Sequence, residues 1–435
     1  MRKLMRTWLV LLALALTFSV SPAGAEMDSH GRFALGHMDI NDSAGSAGNF
    51  SISTLYYRYI ASGLMDNDDL SFNLDGNVRF SNKDYNSGIP DGRVSMANFK
   101  LKKMFGIFDV TVGRSFVEEF VSESVDGLDL KMWLNSKTGF GLFGGTRTDP
   151  YTDKFNADFN ALGGYAFTKT EEIGASAGYA YDTYKGKKDR ERLNAVLYLM
   201  PSMEDLHLQA SLDMDNFNEE ADQHHAERKG WDVSNMLIHA NWRPAKRMSL
   251  SATYTEFRAI NREASHLEQR IEMLEEKYTV ARFRAEGAVW SSLYLYGGMD
   301  QRNRQADSKN ALQTYFGIRD SSFFGDTYWD IRYSDLGYFT STVKAITATL
   351  GGSVIGLNMS GAVTSMTSKQ DDQMGDLEQW IYELNMDYWF TKNAYAVLTW
   401  QYSAEKYLDI NSIYSTRYAD NFTTTTLYGQ VGYRF

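Results

Sequence analysis

The sequence predicts an all-β chain that closes into one antiparallel transmembrane β-barrel of about 22 strands, within an even range of about 16–24. Segments of about ten residues alternate apolar and polar side chains along the chain from Gly31 onward. Short connections alternate with longer ones. Glycine and aromatic residues are plentiful, whereas only 5 prolines occur. A single sheet of so many strands must curl, split or close, and a barrel closes it.

Four segments show the alternation most clearly. In Leu70–Phe80 and Leu206–Asp215, apolar residues and glycine alternate with polar residues, and Met248–Thr255 and Trp380–Phe390 follow a similar pattern. A soluble sandwich would turn its polar face outward to water. The number of strands instead predicts an apolar face against lipid and a polar face around an aqueous lumen. Aromatic residues near segment ends, as in Tyr388–Phe390, suit interfacial belts.

Short and long connections alternate along the chain. The short ones are Met65–Asp69, Lys103–Gly106, Asn135–Thr138, Lys169–Glu172, Pro201–Asp205, Arg243–Lys246, Trp290–Ser292, Asp320–Asp326, Gly351–Gly352 and Thr391–Asn393. The longer ones are Ile40–Asn49, Ser81–Gly92, Phe116–Ser124, Thr146–Asn156, Tyr184–Arg190, Asn216–Asp232, Arg258–Lys277, Arg302–Lys309, Thr367–Asp376 and Ala404–Thr423. Ser334–Gly337 interrupts this rhythm because it is as short as the turns. Short periplasmic turns and longer external loops predict periplasmic termini and an even strand number.

The first 25 residues have the features of a secretory leader. Three basic residues precede the apolar stretch Trp8–Val20, and Ala23-Gly24-Ala25 forms a small-residue cleavage site. We therefore expect residues 1–25 to be removed and residues 26–435 to form a single barrel domain. Loss of the three basic residues changes the formal net charge from -11 to -14. Because the mature chain is acidic, we expect no nucleic-acid partner.

The final strand, Leu427–Phe435, has one apolar face that includes Val431, Tyr433 and Phe435. This pattern, with an aromatic two residues before a terminal Phe, resembles the C-terminal signature of porin-like Gram-negative outer-membrane β-barrels. The resemblance implies an outer-membrane location among lipid and lipopolysaccharide. It also implies that Tyr433 and Phe435 form an assembly signal for the barrel-assembly machinery. We expect this strand to pair with the first strand near Phe33–Asp39.

Charged residues on the polar faces are predicted to point into the lumen. Acids outnumber bases among them, which favours the passage of cations and neutral polar solutes. Alternatively, these charges only keep the lumen hydrated. The residues are Asp75, Arg79, Asp109, Asp129, Lys131, Asp182, Asp213, Asp215, Glu383, Asp387 and Arg434.

Two of the longer connections have distinctive composition. Within Arg262–Lys277, Leu267, Ile271 and Leu274 recur at helical spacing, which predicts a short amphipathic helix. That helix either constricts the lumen or packs on a neighbouring loop. Asn216–Asp232 contains adjacent histidines and several acids, and we interpret it as a solvated acidic loop without a metal site.

The chain shows no motif of an enzyme. It contains no cysteine, which excludes disulfides and covalent c-type haem attachment within the chain. No nucleophile elbow, zinc-protease motif, P-loop or dinucleotide fingerprint occurs. We interpret His207 and His239 as water-facing polar residues. Trp133 and Trp389 are two lumen-side aromatics, too few for an aromatic track. The chain is therefore expected to have no enzymatic activity and no cofactor.

Two functions agree with these features. The first is a porin-like outer-membrane channel for passive passage of small hydrophilic solutes or ions. The second is a barrel scaffold that houses a periplasmic or extracellular partner, because barrels of about 22 strands generally have an occupied lumen. In this respect the chain is similar in architecture to the barrel sheaths of porin–cytochrome electron conduits. That resemblance implies a multihaem cytochrome as the lumenal partner.

Overall fold

The computed structural model describes residues 28–43, 50–65, 67–81, 92–120, 123–148, 155–200, 205–217, 230–258, 277–304, 310–338, 341–370, 376–408 and 421–435. Within these ranges the chain forms 22 strands that belong to one sheet. The strands are β1 Asp28–Asp42, β2 Phe50–Leu64, β3 Asn67–Ser81, β4 Gly92–Met104, β5 Phe108–Val117, β6 Glu123–Trp133, β7 Thr138–Thr148, β8 Phe155–Lys169, β9 Ile173–Tyr184, β10 Lys187–Leu199, β11 Leu206–Phe217, β12 Gly230–Ala245, β13 Met248–Arg258, β14 Lys277–Ala288, β15 Leu293–Arg304, β16 Ala311–Phe324, β17 Thr327–Gly337, β18 Ser341–Val354, β19 Leu357–Gln370, β20 Asp376–Trp389, β21 Ala394–Leu408 and β22 Asn421–Arg434.

The sheet closes on itself because β1 pairs antiparallel with both β2 and β22. Phe33 lies opposite Tyr433, within the segment Phe33–Asp39 that was expected to receive the last strand. The Phe435 N–H donates to the Gly31 carbonyl at 3.1 Å, and the Gly31 N–H donates back at 2.9 Å. The predicted closed antiparallel barrel is confirmed, as is the pairing of its last strand with its first. In the described part of the chain, no helix is long and apolar enough to cross a membrane.

The connection between β9 and β10 is a two-residue turn. Lys185 and Gly186 have φ values of 50° and 77°, the left-handed conformation that tight hairpin turns require. Tyr184 and Lys187 already lie opposite each other in the hairpin. The prediction of a longer loop at Tyr184–Arg190 was therefore wrong, because the glycine lets the chain reverse at once.

Two other connections were misplaced by a few residues. β18 runs through Gly351–Gly352 to Val354, and the turn lies at Ile355–Gly356, where φ is 52° and 77°. Ser334–Gly337, predicted as a connection, lies within β17. In both cases the strand continues past small or polar residues because its backbone hydrogen bonds continue with the neighbouring strand.

The two faces of the sheet differ in side-chain type. On β6, β7 and β8, Leu128, Leu142 and Leu162 are exposed, whereas the adjacent Asp129 and Phe143 are buried. Exposed apolar side chains of this kind occur on strands all around the sheet. A soluble monomer rarely exposes an apolar surface of this extent, but lipid is a favourable solvent for it. The apolar face is therefore the outer wall, and the opposite face lines the lumen.

Candidate functional site

The connection after β5 begins by folding inward, and its described part packs on the lumenal wall. We call Val117–Phe120 the inner segment. Phe120 is 1% exposed, and its ring lies 5.2 Å from that of Phe143 on β7. Arg192 also contacts this ring, with its guanidinium carbon 5.2 Å from the Phe120 ring centre. A Cβ added to Gly178 would lie 2.7 Å from the Phe120 ring, so glycine on β9 is what admits the ring.

The inner segment sits on an apolar cluster that lines this side of the lumen. Its buried members come from β5 to β9. Trp133 packs edge-on against Phe167 at 4.9 Å, next to this cluster. Such packing resembles a soluble core on the inside of a barrel wall, where water is otherwise expected. The cluster consists of Val117, Phe120, Val125, Phe143, Ala161, Tyr165, Phe167 and Ala180.

Glu119 attaches the inner segment to the wall by two ion pairs. Its Oε2 lies 2.6 Å from the Lys131 Nζ on β6, and its Oε1 lies 2.7 Å from the Lys169 Nζ on β8. Burial acts to raise the pKa of the Glu119 carboxyl, but the two ammonium groups outweigh this effect and hold the pKa below its usual range. Glu119 is therefore ionised at neutral pH.

A second group of ion pairs, on β7, β9 and β10, lies next to the ion pairs of Glu119. Asp182 is 1% exposed and receives three guanidinium groups. Arg147 Nη1 lies at 2.7 Å, Arg192 Nε at 2.9 Å and Arg190 Nε at 3.2 Å from its carboxylate oxygens. Arg190 also contacts Asp215 on β11 at 3.0 Å. Buried charges are stable only when they are paired, and here the ion pairs connect β7, β9, β10 and β11.

These contacts lie on one side of the barrel, on the strands from β5 to β11. A cavity of about 320 Å³ lies beside the inner segment, and Asp75, Lys100, Glu118 and Lys131 are among its lining residues. Charged and uncharged polar residues together make up most of its lining, with a smaller apolar part.

Most residues predicted to point into the lumen have defined contacts. Asp129 accepts a hydrogen bond of 2.7 Å from the Tyr165 hydroxyl. Asp109 accepts one of 3.0 Å from the Trp133 Nε1–H. Lys131 pairs with Glu119, as described above. These interactions connect predicted lumenal charges to the apolar cluster, and their part in solute passage stays a prediction.

The remaining predicted charges lie on other strands. The Arg58 Nε is 3.9 Å from Asp75, and Asn358 donates to Asp387 at 2.8 Å. Asp213 accepts from Asn194. The Arg434 guanidinium lies 4.7 Å from the Trp389 ring centre. Two residues are placed by register alone, with Arg79 opposite Thr54 and Glu383 opposite Ala362.

The predicted assembly residues lie on the outer face. Tyr433 is 50% exposed, and the Phe435 ring stacks 5.6 Å from that of Phe33. The predicted constriction residues Leu267, Ile271 and Leu274 lie outside the described residues. The leader and most of Asn216–Asp232 also lie outside them.

Sequence reasoning missed Glu119 and three arginines, which are Arg147, Arg190 and Arg192. The run Lys188-Asp189-Arg190-Glu191-Arg192 is charged throughout and shows no apolar–polar alternation, and Arg190 was assigned to the loop Tyr184–Arg190. Glu119 gave no signal, since an inward fold of a loop depends on the opposite wall. Among the described residues, no group of three or more His, Asp or Glu side chains is placed to hold a metal ion.

No protein-family model matches the sequence, and no curated protein matches it. Solved structures resemble the chain in architecture. A ferric enterobactin receptor (PfeA) mutant from Pseudomonas aeruginosa aligns with a TM-score of 0.53 at 10% identity, covering 95% of this chain and 81% of that chain. OpdK from Pseudomonas aeruginosa, crystallised with vanillate, aligns with a TM-score of 0.44 at 8% identity, covering 94% and 99%. The copper transporter OprC aligns with a TM-score of 0.47 at 11% identity, covering 94% and 81%. The receptor likeness supports the barrel fold.

Proposed function

We propose that this protein is an outer-membrane channel through which small hydrophilic solutes pass passively. The observation that carries the proposal is a closed sheet of 22 strands with an exposed apolar outer face and a charged, partly open inner face. Such a wall is stable only with lipid outside and water inside. The short turns then face the periplasm, and export requires removal of residues 1–25 and insertion by the barrel-assembly machinery.

The inner segment sets the size limit of this channel. It is held against the wall by the buried Glu119–Lys131 pair and by the stacking of Phe120 on Phe143. Proteoliposome swelling with neutral sugars of increasing size tests this. We expect monosaccharides to enter faster than trisaccharides, and equal exclusion of both would contradict a channel for hydrophilic solutes.

A cation preference, predicted from acids on the inner face, stays a prediction. Asp182 and Asp215 are both paired with arginines that were not among the charges predicted to point into the lumen. The net charge that a solute meets is therefore more positive than the predicted charges alone imply. The reversal potential in a KCl gradient measures the preference directly, and its dependence on ionic strength reports how exposed the charges are.

The second candidate function is a scaffold for a lumenal partner. The observation in its favour is the strand number, because barrels of 22 strands generally enclose a plug. Purification from native membranes tests it: a stoichiometric haem-staining partner would support the scaffold, and a chain recovered alone would support the channel. We propose no enzymatic activity and no cofactor, since no catalytic motif occurs in the sequence.

A further inference from the structure

A separate cavity of about 510 Å³ lies against the inner face of β13–β17. Four arginines line it, and they are Arg282, Arg284, Arg302 and Arg332. Its volume falls in the range of small-molecule sites, about 300–1,000 Å³. Neither the inner segment nor any residue predicted to point into the lumen lines it. This patch is basic, although the chain as a whole is acidic.

The acids near this cavity are already engaged. Asp300 is 4% exposed, and its Oδ2 lies 3.0 Å from the Arg282 Nε and 3.9 Å from an Arg302 nitrogen. Glu286 pairs with Arg319 at the edge of the cavity. One buried carboxylate thus pairs with two guanidinium groups. These three groups carry a net positive charge, and Arg284 and Arg332 add to it.

Arg284 and Arg332 have no carboxylate within 4.0 Å among the described residues. Both are exposed to the cavity that they line. Arg284 lies opposite Gly298, and Arg332 lies opposite Gly317 on a neighbouring strand. Both guanidinium groups line the same cavity, so an anion held between or beside them is attracted by each of them.

Two tyrosine rings shape the wall between these arginines. The Tyr315 ring lies over Gly298, where an added Cβ would come within 2.5 Å of its hydroxyl oxygen. Tyr296 lies over Gly317 in the same manner, and its hydroxyl donates to Asp330 at 2.7 Å. Because the glycines let both rings lie against the wall, the cavity stays open. The Tyr315 hydroxyl has no hydrogen-bond partner in the described part of the chain and lines the cavity.

We propose that this patch is a binding site for small oxyanions, meaning solutes that carry a carboxylate or phosphate group. Arg284 and Arg332 supply the charge, and the Tyr315 hydroxyl supplies a further donor. Guanidinium groups bind planar oxyanions with paired, charge-assisted hydrogen bonds. Because both arginines are exposed, they bind a solute weakly and release it again, as conduction requires. The site rests on the proposed channel function and deepens it, because it gives such anions a local binding point in the lumen whatever the overall ion preference of the channel.

Isothermal titration of the purified full-length barrel in detergent tests the site, with succinate and inorganic phosphate as separate probes. We expect both to bind at low ionic strength, with the tighter probe identifying the preferred group. Arg284→Gln and Arg332→Gln should each weaken that binding by about tenfold, the loss expected for one charge-assisted contact. Arg58→Gln is the matched control, because Arg58 lines the other cavity and lies 3.9 Å from Asp75.

The site is overturned if neither probe binds the wild-type barrel or if both test variants bind as the wild type does. An equal loss in Arg58→Gln would also overturn it, because that result indicates the general field of the lumen. Heat-modifiable migration on gels establishes that each variant is folded. Failure of the channel is separable: a barrel that binds succinate but conducts no current keeps the site and contradicts the proposed function, and the reverse result contradicts the site alone.

Discussion

Replacing Glu119 with Gln should release the inner segment from the wall. Gln keeps the shape and one hydrogen-bond acceptor but removes the charge that two lysines share. Lys131, whose side chain is only 7% exposed, then keeps only the exposed Glu118 carboxylate, 3.7 Å away, as an ion-pair partner among the described residues. Breaking a buried ion pair from one side costs more than the pair itself contributes, because the remaining charge is stranded.

The expected magnitude follows from the burial of each partner. The Glu119 and Lys131 side chains are 2% and 7% exposed, so this pair dominates and its disruption costs about 3 kcal/mol. The Lys169 side chain is 52% exposed, and its contact contributes well under about 1 kcal/mol. A loss of about 3 kcal/mol in local stability corresponds to a change of about a hundredfold in the opening equilibrium.

Hydrogen exchange of peptides that contain Val117–Phe120 measures this opening directly. We expect protection of the inner segment to fall by about a hundredfold in Glu119→Gln. Glu118→Gln is the matched control, because Glu118 is 62% exposed and lies 3.7 and 3.9 Å from the same lysines. Its protection should change by less than about threefold. Equal changes in the two variants would refute the buried-pair explanation.

Three further perturbations test other parts of the molecule. Deletion of Phe435, which stacks on Phe33, should lower the folded fraction in outer membranes on heat-modifiability gels, and unchanged insertion would count against its assembly role. Leu162→Lys should destabilise the barrel in lipid vesicles by about 2–4 kcal/mol in urea titrations, and a cost no larger than that of Leu162→Ala would contradict a lipid-facing position. Because the pKa of Glu119 lies below its usual range, its stabilisation is complete above about pH 4.3 and is lost as the pH falls through the lowered value. Hydrogen-exchange protection of the inner segment should show that acid-dependent loss in the wild type and not in Glu119→Gln.

The fold could be predicted from the sequence because the alternation of apolar and polar side chains is a local property. In a strand such as Leu206–Phe217, the sequence itself shows which side chains face the lumen and which face outward. Closure of the sheet follows from the number of strands. Strand ends were predicted less well. At Lys185–Gly186 a turn of two residues replaces the expected loop. Both residues adopt the left-handed conformation, which allows the chain to reverse within two residues.

The lumenal sites could be predicted only in part. Asp129, Lys131 and Asp182 were assigned to the inner face by parity. The structure brings Asp129 and Asp182 into contact with other strands and Lys131 into contact with the inner segment. Parity gives no information about which strands lie across the lumen or which loop folds inward. Glu119 therefore escaped prediction. So did Arg284 and Arg332, whose significance depends on their having no carboxylate within 4.0 Å in the described structure.

Planar-bilayer recording of the purified wild-type chain tests the channel proposal most directly. Discrete conductance steps after insertion, with a size that increases in Glu119→Gln, are the predicted result, because the inner segment limits the open path. A folded barrel that inserts without conductance in either orientation, and whose Glu119→Gln variant is equally silent, would contradict the account.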